Sequence, residues 1–178
     1  MMRNMILSMS LLASIAACGF AADPDYSGGY RGPNRDGIYR AGDLLDRWPE
    51  DGPQLLWKDQ TIGDGFSAVM VADGTVYVTG KHHDDGEKNG YLSAFTLDGT
   101  LKWKKKYGPE TSTGRFEGPR ATPQLVSGSI YLVSGKGVLY AMDAQTGEMN
   151  WSVDLRERYG LQVPGWGYNE TPLVVDNK

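Results

Sequence analysis

Short runs of alternating apolar and polar residues fill the second half of the chain, and glycine-containing turns separate them. Over residues 131–151 this pattern predicts a strand, a glycine turn, a second strand, another turn and a third strand that ends on Trp151. A looser copy over residues 77–103 ends on Trp103, and a shorter apolar run ends on Trp57. The three tryptophans stand 46 and 48 residues apart, a spacing typical of β-propeller blades.

The copies also share a two-residue turn signal of the kind that connects the strands of a hairpin. Superposing them on Ala68, Thr122 and Thr171 aligns three such dipeptides, which are Asp73-Gly74, Ser127-Gly128 and Asp176-Asn177. We therefore predict an all-β fold, a β-propeller of four-stranded blades that is incomplete in this chain. The predicted parts are an outer strand at 54–58, a blade at 66–104, a blade at 120–153 and the start of a further blade at 169–178.

The number of blades bears on the length of the whole protein. A propeller closes with about 4 to 8 blades, and two blades with two partial ones would leave sheet faces and edges exposed. We therefore expect this chain to be the N-terminal fragment of a protein of about 350–450 residues. Whatever function depends on the closed ring would be only partly present here.

Composition agrees with a globular β-protein and argues against one class of partner. The 178 residues include 24 glycines and 10 tyrosines, and the net charge of −4 with a pI near 5.2 does not favour nucleic-acid binding. The one basic run, at 104–106, directly follows a predicted strand end and is interpreted as a solvated edge or loop.

The N-terminus has the pattern of a secretory signal. Residues 1–17 combine Arg3 with an uncharged apolar core too short to span a bilayer, and Ile15-Ala-Ala-Cys18 resembles a bacterial lipobox. Lipidation at Cys18 is one reading, and an ordinary signal cut after Ala21 is the other. Residues 18–53 then read as a tether and an irregular segment, and the site of action is predicted to be extracytoplasmic, in the periplasm or at the outer membrane. A single cysteine excludes an internal disulfide and a multi-cysteine zinc site.

One repeat carries a family motif. Ala141, Asp143, Thr146, Gly147 and Trp151 are spaced as in the AxDxxTGxxxW tryptophan-docking repeat, so the chain resembles the quinoprotein, or PQQ-like, β-propellers. In physical terms, glycine permits the turn, alanine leaves room, and tryptophan packs against the neighbouring blade. The upstream copy keeps Ala94 and Trp103, but Thr96 replaces the aspartate and the turn is one residue shorter.

The resemblance implies a fold and leaves two functions open. The superfamily includes alcohol dehydrogenases that bind pyrroloquinoline quinone and calcium, often with a vicinal disulfide of which this chain shows no sign. It also includes propeller lipoproteins without a cofactor, such as a scaffold subunit of the machine that assembles outer-membrane β-barrels. The preferred hypothesis is a lipid-anchored scaffold that binds a periplasmic or outer-membrane protein, with no cofactor expected in this fragment. The alternative is a quinoprotein dehydrogenase whose site other blades complete.

Candidate ligand residues lie in the loops that join one blade to the next, at 62–66, 107–120 and 158–170. Aromatic rings could sandwich a flat ligand, arginine could hold carboxylates, and glutamate could bind calcium. The bland reading is that these side chains pack the rim or contact a protein. The candidates are Arg115, Phe116, Arg120, Trp166, Tyr168 and Glu170.

The cluster His82-His83-Asp84-Asp85 contains residue types that bind divalent metals. Adjacent side chains rarely point the same way, and the cluster stands in a glycine-bounded insertion at 80–90, so a solvated loop is the favoured interpretation and no metal site is predicted. The sequence shows no catalytic triad, P-loop, CxxC pair or dinucleotide fingerprint.

Overall fold

The computed structural model describes residues 31–32, 36–38, 45–82, 88–111 and 116–174. Within these residues the strands form two antiparallel four-stranded sheets, and in both the order of strands follows the chain. This architecture confirms the predicted all-β fold of four-stranded blades. The first sheet contains β1 (Met70–Ala72), β2 (Thr75–His82), β3 (Asn89–Thr96) and β4 (Leu101–Pro109). The second contains β5 (Gln124–Val126), β6 (Ser129–Val133), β7 (Val138–Asp143) and β8 (Met149–Asp154), and the helix α1 (Leu155–Tyr159) follows it.

Both sheets begin with the same tight hairpin. Ala72 pairs with Thr75 in the first sheet and Val126 pairs with Ser129 in the second, so each loop has two residues. All four loop residues have positive φ. The two-residue turns whose twist matches that of the flanking strands require this conformation. Asp-Gly and Ser-Gly supply this conformation, and the predicted turns at 73–74 and 127–128 are confirmed.

The hydrophobic core lies between the two sheets. Met70, Leu92 and Ala94 of the first sheet and Ile130 and Met142 of the second belong to one buried cluster. Leu92 and Ala94 are two residues apart on β3 and both face this cluster, as the period of a strand requires. The blades therefore stabilise each other by burying these faces together.

A tryptophan on one repeat meets a glycine on the next. The rings of Trp57 and Trp103 lie where a Cβ on Gly99 and on Gly147 would stand, with ring atoms 2.7 and 2.6 Å from those positions. The Trp57 indole N–H also donates to the Leu97 carbonyl at 2.8 Å. Trp151 lies in β8, the last strand of the second sheet, and is 44% exposed.

The other motif residues have separate structural roles. Ala141 pairs directly with Trp151 across the sheet, as Ala94 pairs with Trp103, so a small residue stands opposite the large one. Asp143 accepts hydrogen bonds from the Thr146 backbone N–H at 2.8 Å and from the Thr146 hydroxyl at 2.9 Å. These bonds lower the pKa of Asp143 and hold the turn that presents Gly147.

Several predicted boundaries differ from the structure. Residues 54–58, predicted as an outer strand, are not in a strand, because no strand within the described residues pairs with them. β4 continues to Pro109, so Tyr107 is a buried strand residue and not a loop residue. Arg158 lies in α1, which the sequence pattern did not reveal.

The insertion predicted at 80–90 is shorter, because β2 and β3 remain paired as far as His82 and Asn89. Residues 169–174 form no strand, and the rest of the predicted third blade lies outside the described residues, as do the predicted signal peptide and Cys18.

Candidate functional site

The connections that lead into the two sheets lie side by side. The backbone N–H of Phe66 donates to the Pro119 carbonyl at 2.8 Å. Gly118 packs so closely on the Asp64 carbonyl that a Cβ there would collide with it. The segments at 64–66 and 116–120 therefore form one packed surface at the blade junction.

Three rings on this surface contact one another. Phe116 lies 6.0 Å from Phe66 and 5.8 Å from Trp166 between ring centroids, and the Arg120 guanidinium lies 5.7 Å from the Phe66 ring. Phe66 is 59% exposed and Trp166 64%. We call Phe66, Phe116, Arg120 and Trp166 the aromatic patch. The structure thus brings together three of the predicted rim residues and adds Phe66, which the sequence analysis did not select.

The aromatic patch borders two shallow depressions. Its four residues line an apolar one of about 430 Å³. A second of about 400 Å³ shares Phe66 and Arg120 and adds polar side chains from Thr122, Asn169 and Thr171. Arg120 therefore stands between an apolar and a polar surface.

Backbone carbonyls fix the Arg120 side chain. Its guanidinium donates to the Gly118 carbonyl at 3.2 Å and to the Phe116 carbonyl. Both acceptors belong to the loop that carries Phe116, so the cation stiffens that loop while it lies over the Phe66 ring. No ion pair of the described residues involves Arg120.

Tyr168 and Glu170, two further predicted rim residues, do not line either depression. Tyr168 packs on the turn of the second sheet, where its ring lies 2.6 Å from a Cβ placed on Gly137, and its hydroxyl donates to the Gln162 carbonyl at 2.8 Å. Glu170 is exposed and accepts from the backbone N–H of Asn169 at 2.9 Å. Arg115 lies outside the described residues.

A capped helix carries the chain toward Trp166. Asp154 accepts hydrogen bonds from the backbone N–H groups of Arg156 and Glu157, and Gly160 ends the helix in the left-handed conformation. Hydrogen bonds from the Arg156 guanidinium, above all, lower the pKa of Asp154 to about 2. The carboxylate is therefore ionised, and the cap formed, at neutral pH.

Glu117, which directly follows Phe116, forms an ion pair with a buried lysine that the sequence pattern did not indicate. The Lys81 ammonium, fully buried, contacts the Glu117 carboxylate, whose side chain is 21% exposed. Lys88 lies 3.7 Å from the other carboxylate oxygen. No local signal marks such a pair, because Lys81 and Glu117 are 36 residues apart and lie on different segments.

A buried carboxylate joins the two blades. Glu110 accepts hydrogen bonds from the backbone N–H groups of Thr111 and Gly135 at 2.7 and 2.6 Å, and from the Tyr107 hydroxyl at 2.7 Å. Burial, and next the nearby Glu110 charge, raise the pKa of Tyr107 well above its ordinary range. Tyr107 therefore remains a neutral hydrogen-bond donor.

Within the described residues, neither His82 nor the lysine run at 104–106 takes part in a metal site. His82 ends β2, its ring is 5.0 Å from that of Tyr91, and its Nε2 lies 2.7 Å from Lys104 Nζ. The rest of the predicted cluster, 83–85, lies outside the described residues, and within those residues no group of three or more His, Cys, Asp or Glu could hold a metal ion. Lys104 is partly buried, so the basic run is not simply a solvated edge.

The aromatic patch does not form the pair of plates that a quinone site, under the dehydrogenase alternative, would use. The ring pairs are inclined at 62° and 50° and contact each other, so they do not form parallel plates around a flat molecule. The Arg120 guanidinium donates to the loop backbone. These residues offer exposed rings and a fixed cation, which can bind a partner surface but provide no nucleophile or general base.

Two four-stranded blades, each with a glycine turn that receives a tryptophan from the preceding segment, define a propeller-type repeat protein of the PQQ-like class. A family model described as outer membrane protein assembly factor BamB matches residues 41–160, and the chain belongs to this family.

Individual proteins are also similar to this chain. One is the outer membrane protein assembly factor BamB of Moranella endobia, 32% identical over 64% of this chain and 30% of its own length. The chain thus spans about a third of this curated relative. Among solved structures, a europium-containing methanol dehydrogenase is 19% identical, with a TM-score of 0.43 over 57% of this chain and 18% of its own. A quinohemoprotein alcohol dehydrogenase from Pseudomonas putida is 28% identical, with a TM-score of 0.40 over 55% and 14%.

In the part of the chain that the structure describes, no helix is both long and apolar enough to cross a membrane.

Proposed function

We propose that this chain contributes two blades to an extracytoplasmic β-propeller that acts as a binding scaffold in the assembly of outer-membrane proteins. Its partner is a periplasmic or outer-membrane protein, and the chain itself performs no catalysis. The family match over residues 41–160 and the similarity to the outer membrane protein assembly factor of Moranella endobia support this role.

The observation that carries the proposal is the aromatic patch. Phe66 and Trp166 are more than half exposed although they are large and apolar. Tryptophan, other aromatic residues and arginine dominate the energetic centres of protein interfaces. Phe116 contacts both rings and Arg120 is fixed by backbone carbonyls, so little side-chain freedom would be lost on binding.

Attachment to a membrane through Cys18 is a second part of the proposal. The lipobox-like residues at 15–18 support it, and the polar residues that follow would let the propeller stand away from the bilayer. This arrangement would present the aromatic patch to proteins at the periplasmic face of the outer membrane.

Site-specific photocrosslinking tests the scaffold role in cells that make the full-length protein. A photoreactive amino acid replaces Trp166 in one variant and Gln145 in the control. Gln145 is exposed at the turn between β7 and β8, at the other end of the second sheet from the patch. We expect a discrete cross-linked envelope protein from position 166 and none from position 145. Equal products from both positions, or none, would overturn the proposal.

The quinoprotein alternative has its own test. Purified full-length protein is incubated with pyrroloquinoline quinone and calcium and supplied with a panel of alcohols and sugars and a redox dye. We expect neither quinone binding nor dye reduction. Quinone-dependent reduction of the dye would contradict a purely scaffolding role.

A further inference from the structure

Lys81 is a charged residue in a place where charge is costly. Its side chain is fully buried on β2, a strand that otherwise carries apolar and small residues at this depth. Removing an ammonium group from water is unfavourable unless a close counter-charge and hydrogen bonds compensate. Glu117 supplies the counter-charge from a different segment of the chain. An apolar residue would fill the same space without this cost, so the pair calls for a reason beyond stability.

The backbone of Lys81 holds one half of the aromatic patch. Its N–H donates to the Asp64 carbonyl at 2.7 Å, and its carbonyl accepts from the Asp64 N–H at 3.0 Å. Asp64 stands two residues before Phe66, whose own N–H is bonded to Pro119. These bonds set the path of the segment that presents the Phe66 ring.

The side chain of Lys81 holds the other half. Its ammonium contacts the carboxylate of Glu117, the residue that directly follows Phe116. Gly118 then packs on the Asp64 carbonyl without room for a Cβ, so the two segments fit closely. One residue therefore fixes both Phe66, through its backbone, and Phe116, through its ion pair.

We propose that Lys81 is a positioning residue for partner binding, which acts through Glu117 to hold Phe116 between Phe66 and Trp166. This inference rests on the proposed scaffold function, because it assigns Lys81 to the same surface. Lys81 itself does not touch the partner. Without the ion pair, the 116–120 loop loses its attachment to β2 and the rings no longer form one surface.

The test uses full-length protein carrying Lys81→Met, which removes the charge but keeps an unbranched side chain. Glu117 is partly exposed and remains close to Lys88, so its carboxylate can turn to solvent without unfolding the blade. Lys105→Met is the matched control, because it breaks the ion pair of Lys105 with Glu148 away from the patch. Lys81→Arg is the conservative variant, which keeps the charge.

Two readouts separate positioning from binding. Fluorine NMR of fluorotryptophan-labelled protein follows Trp166 in the patch and Trp103 between the blades, each assigned by replacement with phenylalanine. Photocrosslinking from position 166 follows the partner. For Lys81→Met we expect a shifted, broadened Trp166 signal, an unchanged Trp103 signal and a loss of cross-linking of about tenfold, which corresponds to ~1.4 kcal/mol. Lys81→Arg should recover part of the cross-linking, and Lys105→Met should leave it intact.

The remaining outcomes are equally decisive. An unchanged Trp166 signal in Lys81→Met overturns the positioning role. If the Trp166 and Trp103 signals both shift and the unfolding midpoint falls, Lys81 only stabilises the fold. That outcome also overturns the positioning role. A shifted Trp166 signal with undiminished cross-linking supports the positioning role but overturns the proposed function of the aromatic patch.

Discussion

The ring of Trp103 occupies the space in which a side chain on Gly147 would begin, with its nearest atom 2.6 Å from the position of that missing Cβ. Trp57 stands in the same relation to Gly99, at 2.7 Å. The motif glycine therefore has two roles. Its positive φ permits its own turn, and its lack of a side chain admits the tryptophan of the preceding repeat.

Comparing a Gly147 variant with a Gly128 variant should separate these two roles. Gly147→Ala adds both left-handed strain and a collision with the Trp103 ring, for an expected loss of about 2–4 kcal/mol in the free energy of unfolding. Gly128→Ala is the control, because Gly128 has a similar φ of 78° but nothing lies within 4 Å of its Cβ position. It should cost only about 1–2 kcal/mol, the strain alone. Urea unfolding of both variants measures the difference, and equal losses would contradict the docking role.

These contacts show what the sequence could and could not predict. The hairpins at 73–74 and 127–128 and the spacing of Trp103 and Trp151 were readable because local turn chemistry and a repeated period specify them. Residues 54–58 were predicted as a strand from the same pattern, but a strand also requires a partner. The sequence around residue 57 gives no indication of a pairing strand. It does contain Trp57, the tryptophan that docks on Gly99.

The buried carboxylate of Glu110 should be important for the blade junction. Glu110→Ala would leave the Thr111 and Gly135 N–H groups and the Tyr107 hydroxyl without this acceptor, at an expected cost of about 3–5 kcal/mol. Glu110→Gln keeps an acceptor oxygen and should cost only about 1–2 kcal/mol. Chemical denaturation of the two variants checks this order. A glutamine variant as unstable as the alanine variant would point to the charge instead of the hydrogen bonds.

Glu110 and Lys81 mark the limit of sequence reasoning for the site. A glutamate or lysine in a polar stretch is ordinarily predicted to be solvated. Their burial depends on partners 25 and 36 residues away, Gly135 and Glu117. Phe116, Arg120 and Trp166 were predictable as loop residues of the right chemical type, but their contact with Phe66 depends on how two loops pack.

Alkaline pH should weaken the fold through its buried tyrosines. Burial raises the pKa of Tyr140 from 10.0 to about 12. Between these values the unfolded chain binds fewer protons than the folded one. The contribution of Tyr140 to the free energy of unfolding is therefore fully present below pH 10 and is lost as the pH rises toward about 12. The expected loss is about 2–3 kcal/mol, and Tyr107 adds to it in the same direction.

Urea midpoints measured across this pH range, together with the ultraviolet absorbance of tyrosinate, check the alkaline effect. Tyr140→Phe should flatten the decline. Tyr159→Phe should leave it unchanged, because Tyr159 is 65% exposed. An equally steep decline in the Tyr140→Phe protein would assign the effect to other groups.

We predict that the mature protein is acylated at Cys18. Cells fed a palmitate analogue should label the full-length protein, and Cys18→Ser should abolish the label. Mass spectrometry of the mature N-terminus distinguishes the alternatives, since a chain that begins at Cys18 carries acyl groups whereas cleavage after Ala21 leaves an unmodified Ala22. Labelling that persists in Cys18→Ser would exclude this anchor.

The agreement between sheet order and chain order has a consequence for how a chain exported as proposed above would fold. Each strand of the two sheets pairs with the strand just before or after it, and Trp57 and Trp103 each reach a glycine only one repeat further along. Contacts that span short stretches of chain form quickly and need little of the remaining sequence. A chain that leaves the translocation channel N-terminus first could therefore bury Trp57 and then Trp103 as each following repeat emerges, so that the apolar surface exposed at any moment stays limited to about one blade.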